Sequence, residues 1–458
     1  MWMLGKENLS KLSPVICSGY YSERIDYLAK IFRYSRQDKF QKPIELLALQ
    51  VGLARLISQL ESVVVQGKKE RCEEQNTKKL KNIEIGIESN KQLARVAKVI
   101  ADGIAWRILD FDRPFLRLMA DAKKYFGSVE LASKGYRKIM YIASDIAVNR
   151  KNKVLLNDIT HFLRMGDITE VGKKTIIYEV KKSGDRLHSV YSWVRQSPNS
   201  GTSKQFKKVI TAQIARDLRK IKTKNGTITI EGLPMEFGNN LDIVQKIIRK
   251  ARKELFAYYK FDNYLMVYCS DLEKIIDYSL KTKKNIWEEH KTEKWGKSEQ
   301  IIPFSNFDSF WNYEGDFIRT NTPYSIYPLN NKDCIDLMAG KLMLVSMLNL
   351  TEIKRLLTNA GWEVIDSDLE KMTNENRLKK QKVYSEGIYE NPIDDTIFTL
   401  KRGAFHLKIP GYWAFRIATE FMKPKTLLEE VEFVYKTSKP PFGRLLHPHI
   451  TDEANVWR

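Results

Sequence analysis

Gly166-Asp167-Ile168-Thr169-Glu170-Val171-Gly172-Lys173-Lys174-Thr175-Ile176-Ile177-Tyr178-Glu179-Val180-Lys181-Lys182 is the stretch that decides how this chain is read. From Thr175 to Val180 it is rich in β-branched and aromatic residues, the composition of a half-buried strand. Val171-Gly172-Lys173-Lys174 supplies turn chemistry ahead of it, so the spacing predicts two strands folded back as a hairpin. Side chains alternate along a strand, which puts Glu179 and Lys181 on one side and Tyr178 and Val180 on the other. Asp167 ends the preceding strand or loop, and closing the hairpin brings its carboxylate towards the Glu179 and Lys181 side. Two carboxylates and one ammonium then share a pocket. Asp167 and Glu179 offer hard oxygen ligands, with the Val180 backbone carbonyl as a third, a set suited to Mg2+ or Mn2+. A cation held there polarises a phosphodiester oxygen and lowers the pKa of its water, while Lys181 orients the nucleophile or stabilises charge on phosphorus. The expected chemistry is metal-dependent hydrolysis of a nucleic-acid backbone.

The neighbourhood extends this pattern. A helix is predicted over 129–148, a short extended run over Asn152–Asn157, and, after a Ser/Pro/Asn/Gly loop at 197–203, an amphipathic helix over 204–221. That helix carries Phe206, Val209, Ile210, Ile214, Leu218 and Ile221 on its apolar face and Lys204, Lys207, Lys208, Arg216, Arg219 and Lys220 on the other, the latter expected to bind nucleic acid.

A helix, a hairpin bearing Asp167 and, eleven residues on, Glu179-Val180-Lys181, then a basic helix together resemble the PD-(D/E)xK, or restriction-endonuclease-like, nuclease superfamily. The resemblance covers about residues 129–224 only. It implies a restriction-endonuclease-like α/β core with a mixed sheet, Asp167 and Glu179 as metal-binding carboxylates and Lys181 as the catalytic lysine. The residue before the aspartate is Gly166, where the family pattern has proline. The resemblance further implies an extra acidic residue, Asp158 first with Asp145 and Glu130 behind it, and a polar residue on the following helix, Gln213 or Gln205. It also implies a nuclease working as a restriction or anti-phage defence effector in a prokaryote.

The remainder of the chain sets the context. Of 458 residues, 77 are Lys or Arg and 56 Asp or Glu, a net charge of +21 that points to a polyanionic partner, nucleic acid before membrane. Residues 204–260 alone carry an excess of nine cations. With 43% hydrophobic residues the chain has enough apolar material to build cores. Apolar positions from Ile44 to Val65 and from Leu93 to Leu109 predict a helical hairpin, and the mixed charges of Lys68 to Glu74 a solvated helix surface. Pro114 suits the first turn of a further helix. Downstream, helix is expected over Leu241–Tyr259, a buried strand over Tyr264–Cys269, helix over Leu337–Ala360 with a break near Asn349, and strand over Thr396–Leu407. The fold class is α+β multidomain: a helical region over 1–127, the nuclease core over 128–224, and an α+β substrate- or partner-binding region over 225–458.

Other classes are excluded on residues. Cys17, Cys72, Cys269 and Cys334 form no CxxC pair, so neither a disulfide framework nor a thiolate zinc site is expected. His447-Pro448-His449 has no acidic or cysteine partner at zinc spacing, and reads as a surface loop. His161 and His188 flank the hairpin as possible phosphate contacts or as structural residues. Tyr258, Tyr259, Phe261 and Tyr264 could stack on bases, though their spacing assigns most to core. No P-loop or dinucleotide fingerprint occurs. Met1 to Ser13 lacks the pattern of a secretory signal, and the apolar run Leu337–Leu350 falls short of the roughly 20 residues that span a bilayer. A cytoplasmic protein is expected. Two alternatives to the autonomous nuclease are a catalytically idle nucleic-acid-binding scaffold and a nuclease subunit controlled by a partner such as a prokaryotic Argonaute or helicase; a homo-oligomer is also open.

Overall fold

The computed structural model describes residues 13–37, 42–120, 134–161, 163, 166–178, 180, 220–223, 226–229, 238–282, 300–306, 322–366, 396–403, 405–437 and 444–445. They form helices and small sheets, antiparallel but for one parallel pairing, an α+β architecture. The chain divides into two compact units. The first comprises Ser10–Glu231, Pro323–Ile335 and Trp457–Arg458, and the second Met1–Leu9, Gly232–Thr322 and Asp336–Val456. Helical region and hairpin therefore belong to one unit.

In the first unit, α1 spans Gly19–Ser35, α2 Pro43–Glu73, α3 Thr77–Ile108, α4 Arg113–Ala120 and α5 Lys134–Val148. Pro43 opens α2, where its missing N–H leaves no bond unmade. The Asn76 side chain starts α3 by accepting the backbone N–H groups of Lys78 and Lys79 at 3.0 and 3.1 Å. Helices α2 and α3 pack along each other as the expected hairpin. Both run further than their apolar periodicity, because the charged stretch Lys68–Glu73 stays helical while fully in solvent. Buried Leu53, Ile57, Leu60, Leu93 and Ile100 are part of the apolar core of this unit. Full burial of such a side chain stabilises by about 1.5–3 kcal/mol. Among the described residues α2 is, by length and composition alone, long and apolar enough to cross a membrane.

Strands β1 (Lys153–Leu156), β2 (Ile168–Val171) and β3 (Thr175–Tyr178) pair in that order, all antiparallel, where the resemblance implies a mixed sheet. The β2–β3 hairpin is the one the sequence predicts, with Val171 opposite Thr175 and Ile168 opposite Tyr178. Strand β1 is an edge, and its outer backbone groups are taken up by a glutamine of α2. Gln50 Nε2 donates to the Val154 carbonyl at 2.7 Å and Gln50 Oε1 accepts the Leu156 N–H at 2.9 Å. One buried amide thus acts as a fourth strand and docks the helical hairpin on the sheet. Strands β4 (Lys220–Thr223) and β5 (Gly226–Thr229) form a separate antiparallel pair. Lys220 and Ile221 therefore lie in a strand, where helix was expected. Lys220-Ile221-Lys222-Thr223 alternates with period two, and the turn signal Lys224-Asn225-Gly226-Thr227 directly follows it.

The second unit is built on a four-stranded antiparallel sheet. Helix α6 (Leu241–Glu254) precedes β6 (Phe256–Phe261) and β7 (Leu265–Asp271); α7 (Leu272–Thr282) and β8 (Ile301–Ser305) follow. After α8 (Asn331–Met338), of which only Asp336–Met338 belong to this unit, come β9 (Leu342–Asn349) and α9 (Leu350–Asn359), and the strand order is β6-β7-β9-β8. A second sheet holds β10 (Glu363–Asp366), β11 (Thr396–Arg402) and β12 (Phe405–Pro410); α10 (Tyr412–Thr419) and α11 (Pro424–Thr437) follow, and β13 (Arg444–Leu445) completes that sheet.

Two expectations fail here. The helix expected over Leu241–Tyr259 ends at Glu254: Leu255 takes a φ of 71°, and the aromatic run that follows forms β6. The helix expected over Leu337–Ala360 contains a strand. Gly340, at a φ of 70°, ends α8, with Gly340 N–H bonded to the Leu337 carbonyl and Lys341 N–H to that of Asp336 at 2.8 Å. Leu342–Asn349 then runs as an interior strand, since a continuous apolar run buried on both faces carries no periodicity to distinguish strand from helix.

Candidate active site

The open end of the β2–β3 hairpin places Asp167. Its N–H donates to the Tyr178 carbonyl at 2.7 Å, extending the ladder by one bond. Its carboxylate oxygen Oδ2 accepts the N–H of Val180. The half-buried aspartate is thereby fixed through backbone and side chain to the outgoing strand, with a charge-assisted bond as one of the ties.

The residue before Asp167, Gly166, has a backbone that proline cannot adopt. Its φ is 70°, a region closed to proline, whose ring holds φ near −65°. A Cβ there would lie 2.5 Å from Ile177 Cγ2 and 2.7 Å from the Tyr178 carbonyl oxygen. Only glycine allows this approach, and the approach sets Asp167 opposite its strand.

Asn157, which the sequence reading passed over for its neighbour Asp158, braces the same point. It opens a single 3-10 turn, Asn157–Ile159, and is fully buried. Its N–H donates to the Asp167 carbonyl at 3.0 Å, its Nδ2 to the Gly166 carbonyl at 3.3 Å, and its Oδ1 accepts the Thr169 hydroxyl at 3.0 Å. Residues on both sides of Asp167 are thus held by one side chain. Asp158 itself is exposed on the turn. The Tyr136 hydroxyl of α5 is pushed up by burial, with Arg55 opposing and Asp158 reinforcing. Asp145, the reserve acid, is committed at the end of α5, where Asn149 Nδ2 donates to it at 2.8 Å and Arg150 Nε at 3.2 Å. The Asn149 bond is the first cause holding its carboxyl below the usual range.

Behind the hairpin lies a second, structural carboxylate. Buried Glu170 accepts bonds from the Tyr178 hydroxyl at 2.5 Å, Asn152 Nδ2 at 2.6 Å and Arg150 at 3.2 Å. Burial and then the Glu170 bond push the Tyr178 hydroxyl up to about 12. With three donors on it, Glu170 ties β2 to β3 and to the end of α5.

His161, weighed as a phosphate contact, is wholly buried instead. Asp102 of α3 takes its backbone N–H on Oδ1 and lies with Oδ2 against ring Nδ1, both at 2.7 Å. Burial dominates and lowers the imidazole pKa; Asp102 opposes, and Lys98 and Arg95 reinforce. Lys98 in turn bonds Glu61 of α2 at 2.8 Å. Every residue of α3 from Gln92 to Trp106 is buried, so charged side chains here require such partners. Nothing local in the sequence pairs Asp102 with His161, 59 positions on.

Glu179, Lys181, Gln213, Gln205, Glu130, His188, Lys204, Lys207, Lys208, Arg216 and Arg219 lie outside the described residues. Lys220 is on β4, and exposed Lys246, Arg249, Lys250 and Lys253 line α6. Among the described residues no group of three or more His, Cys, Asp or Glu side chains converges as a metal site. The structure does bring the Asp167 carboxylate, an expected ligand, onto the backbone N–H of Val180. A carboxylate oxygen is a hard donor of the kind Mg2+ takes. No family model, curated protein or solved structure matches this chain.

Proposed function

We propose that the first unit is a metal-dependent nuclease of the PD-(D/E)xK type, hydrolysing phosphodiester bonds of DNA or RNA. The observation that supports this reading is the tie between Asp167 and Val180 at the open end of the hairpin, which joins the aspartate to the residue that stands between Glu179 and Lys181 in the sequence. The order α5, β1, β2, β3 supports it further, as the helix and hairpin the resemblance implies.

In this reading Asp167, Glu179 and the Val180 carbonyl hold Mg2+, which when bound supplies a polarised phosphodiester oxygen and a water of lowered pKa. Lys181 places its ammonium beside the attacked phosphorus and offsets negative charge as it builds. Asn157 and Gly166 keep the Asp167 backbone fixed, so that no reorganisation of the aspartate is needed when substrate arrives. The test is incubation of the purified chain with single- and double-stranded DNA and RNA in Mg2+, Mn2+ or EDTA. Cleavage that requires metal and is lost in Lys181→Ala is expected; an intact substrate under every condition, or Lys181→Ala cutting as wild type, overturns the assignment.

A further inference from the structure

Helix α1 has two stripes of large side chains. Tyr21, Ile25, Leu28 and Phe32 are buried within the first unit. Tyr20, Tyr27 and Tyr34 are 41%, 51% and 46% exposed. These three stand seven residues apart, and a helix drifts only about 20° per heptad, so they form one row about 21 Å long on the outer face. Tyr20 is held from two sides: its hydroxyl donates to Asn90 Oδ1 of α3 at 2.8 Å, and the Arg24 guanidinium lies over its ring at 5.6 Å. Other exposed tyrosines among the described residues do not line up. Tyr141 stands singly on α5, and the neighbours Tyr258 and Tyr259, in a run the sequence assigns mostly to core, lie on opposite faces of β6.

Charge is ordered along the same helix. Glu23 and Asp26 are exposed in its N-terminal half, Lys30 and Arg33 in its C-terminal half. Glu23 and Lys30 are themselves seven apart and run beside the tyrosine row. With Arg24 also exposed between the two acids, the face carries mixed charge and offers no uniform positive field for a polyanion. It is complementary to itself. When two copies of α1 meet antiparallel with Tyr27 at the two-fold axis, Glu23 of each comes beside Lys30 of the other. A parallel pair sets Glu23 against Glu23 and Lys30 against Lys30, which is repulsive.

We propose that the outer face of α1 is the interface of a homodimer, in which two chains pack α1 on α1, antiparallel, tyrosine row on tyrosine row. A lone exposed apolar side chain needs no partner, whereas a contiguous row rimmed by charge marks a contact surface. Tyrosine suits that place because its ring buries a large apolar area while its hydroxyl keeps a polar partner. The inference rests on α1 alone and does not depend on the nuclease reading.

The experiment is sedimentation equilibrium of the full chain, freed of nucleic acid, from about 1 to 100 μM, where modest interfaces associate. A monomer–dimer equilibrium is expected. Tyr27→Lys, which sets two ammonium groups together at the two-fold, is expected to raise the dissociation constant about thirtyfold or more, the scale of an interface hot spot. Glu23→Lys weakens the dimer about tenfold by placing a lysine beside Lys30 of the other copy, and Glu23→Lys with Lys30→Glu restores it to within about threefold. All of these positions are exposed, and melting curves confirm that each variant is folded. A monomer throughout the series overturns the proposal, as does a dimer that Tyr27→Lys leaves within twofold of wild type. Failure of the double swap to recover what Glu23→Lys loses overturns the antiparallel pairing on which the proposal stands.

Discussion

The Asp167 carboxylate accepts the N–H of Val180 across the open end of a hairpin, 13 residues apart in sequence. The bond fixes one side chain of the proposed metal site before any ligand is present. It also separates structure from chemistry, because asparagine keeps an acceptor oxygen at the same place. Asp167→Asn is expected to retain the hairpin and lose about 1 kcal/mol of stability, the difference between a charged and a neutral hydrogen bond. Denaturant unfolding of the variant checks this.

Gly166→Ala is expected to destabilise the first unit by about 1–2 kcal/mol from the left-handed backbone alone. The approach of Ile177 and the Tyr178 carbonyl adds to that cost. Gly166→Pro is expected to be worse, since its φ cannot reach 70°. Urea midpoints of the three proteins order them.

Gln50→Leu keeps the volume but removes the amide that closes the β1 edge. It strands the Val154 carbonyl and the Leu156 N–H in the interior. A loss of about 1–3 kcal/mol per unsatisfied group is expected. Hydrogen exchange at Leu156 is expected to accelerate in the variant, and an unchanged rate contradicts the pairing.

His161 gives the first unit a pH dependence. Burial holds its pKa below the value of about 6.5 it has when unfolded. The unfolded chain therefore takes up the proton first as pH falls. The stability associated with the neutral ring is fully present above about pH 6.5 and is lost progressively below it, down to the folded pKa. Denaturation midpoints at pH 7.5 and 5.5 are expected to fall in that order, with a smaller drop in His161→Gln.

What the sequence disclosed and what it hid divide by range. Thr175–Tyr178 and the turn before it were legible because β-branched residues and turn chemistry are local signals. So were the buried strand at Leu265–Asp271 and the α2–α3 hairpin. Leu342–Asn349 was not, since leucine and methionine suit a buried strand and a helix alike, and the Gly340 stop is plain only once its φ is known. The long-range ties were invisible: Gln50 with β1 lies across 104 positions and Asp102 with His161 across 59. For the candidate site, sequence chemistry named Asp167 and Val180, while Asn157, which braces them, carried no signal beyond standing next to an acid.

The most direct measurement is the rate at which wild type and Asp167→Asn cut the same labelled nucleic acid in Mg2+, with unfolding curves taken alongside. The account predicts a folded variant whose cleavage falls by about a hundredfold or more, the scale of losing a group that acts on developing charge. A folded Asp167→Asn that cuts at the wild-type rate would contradict it.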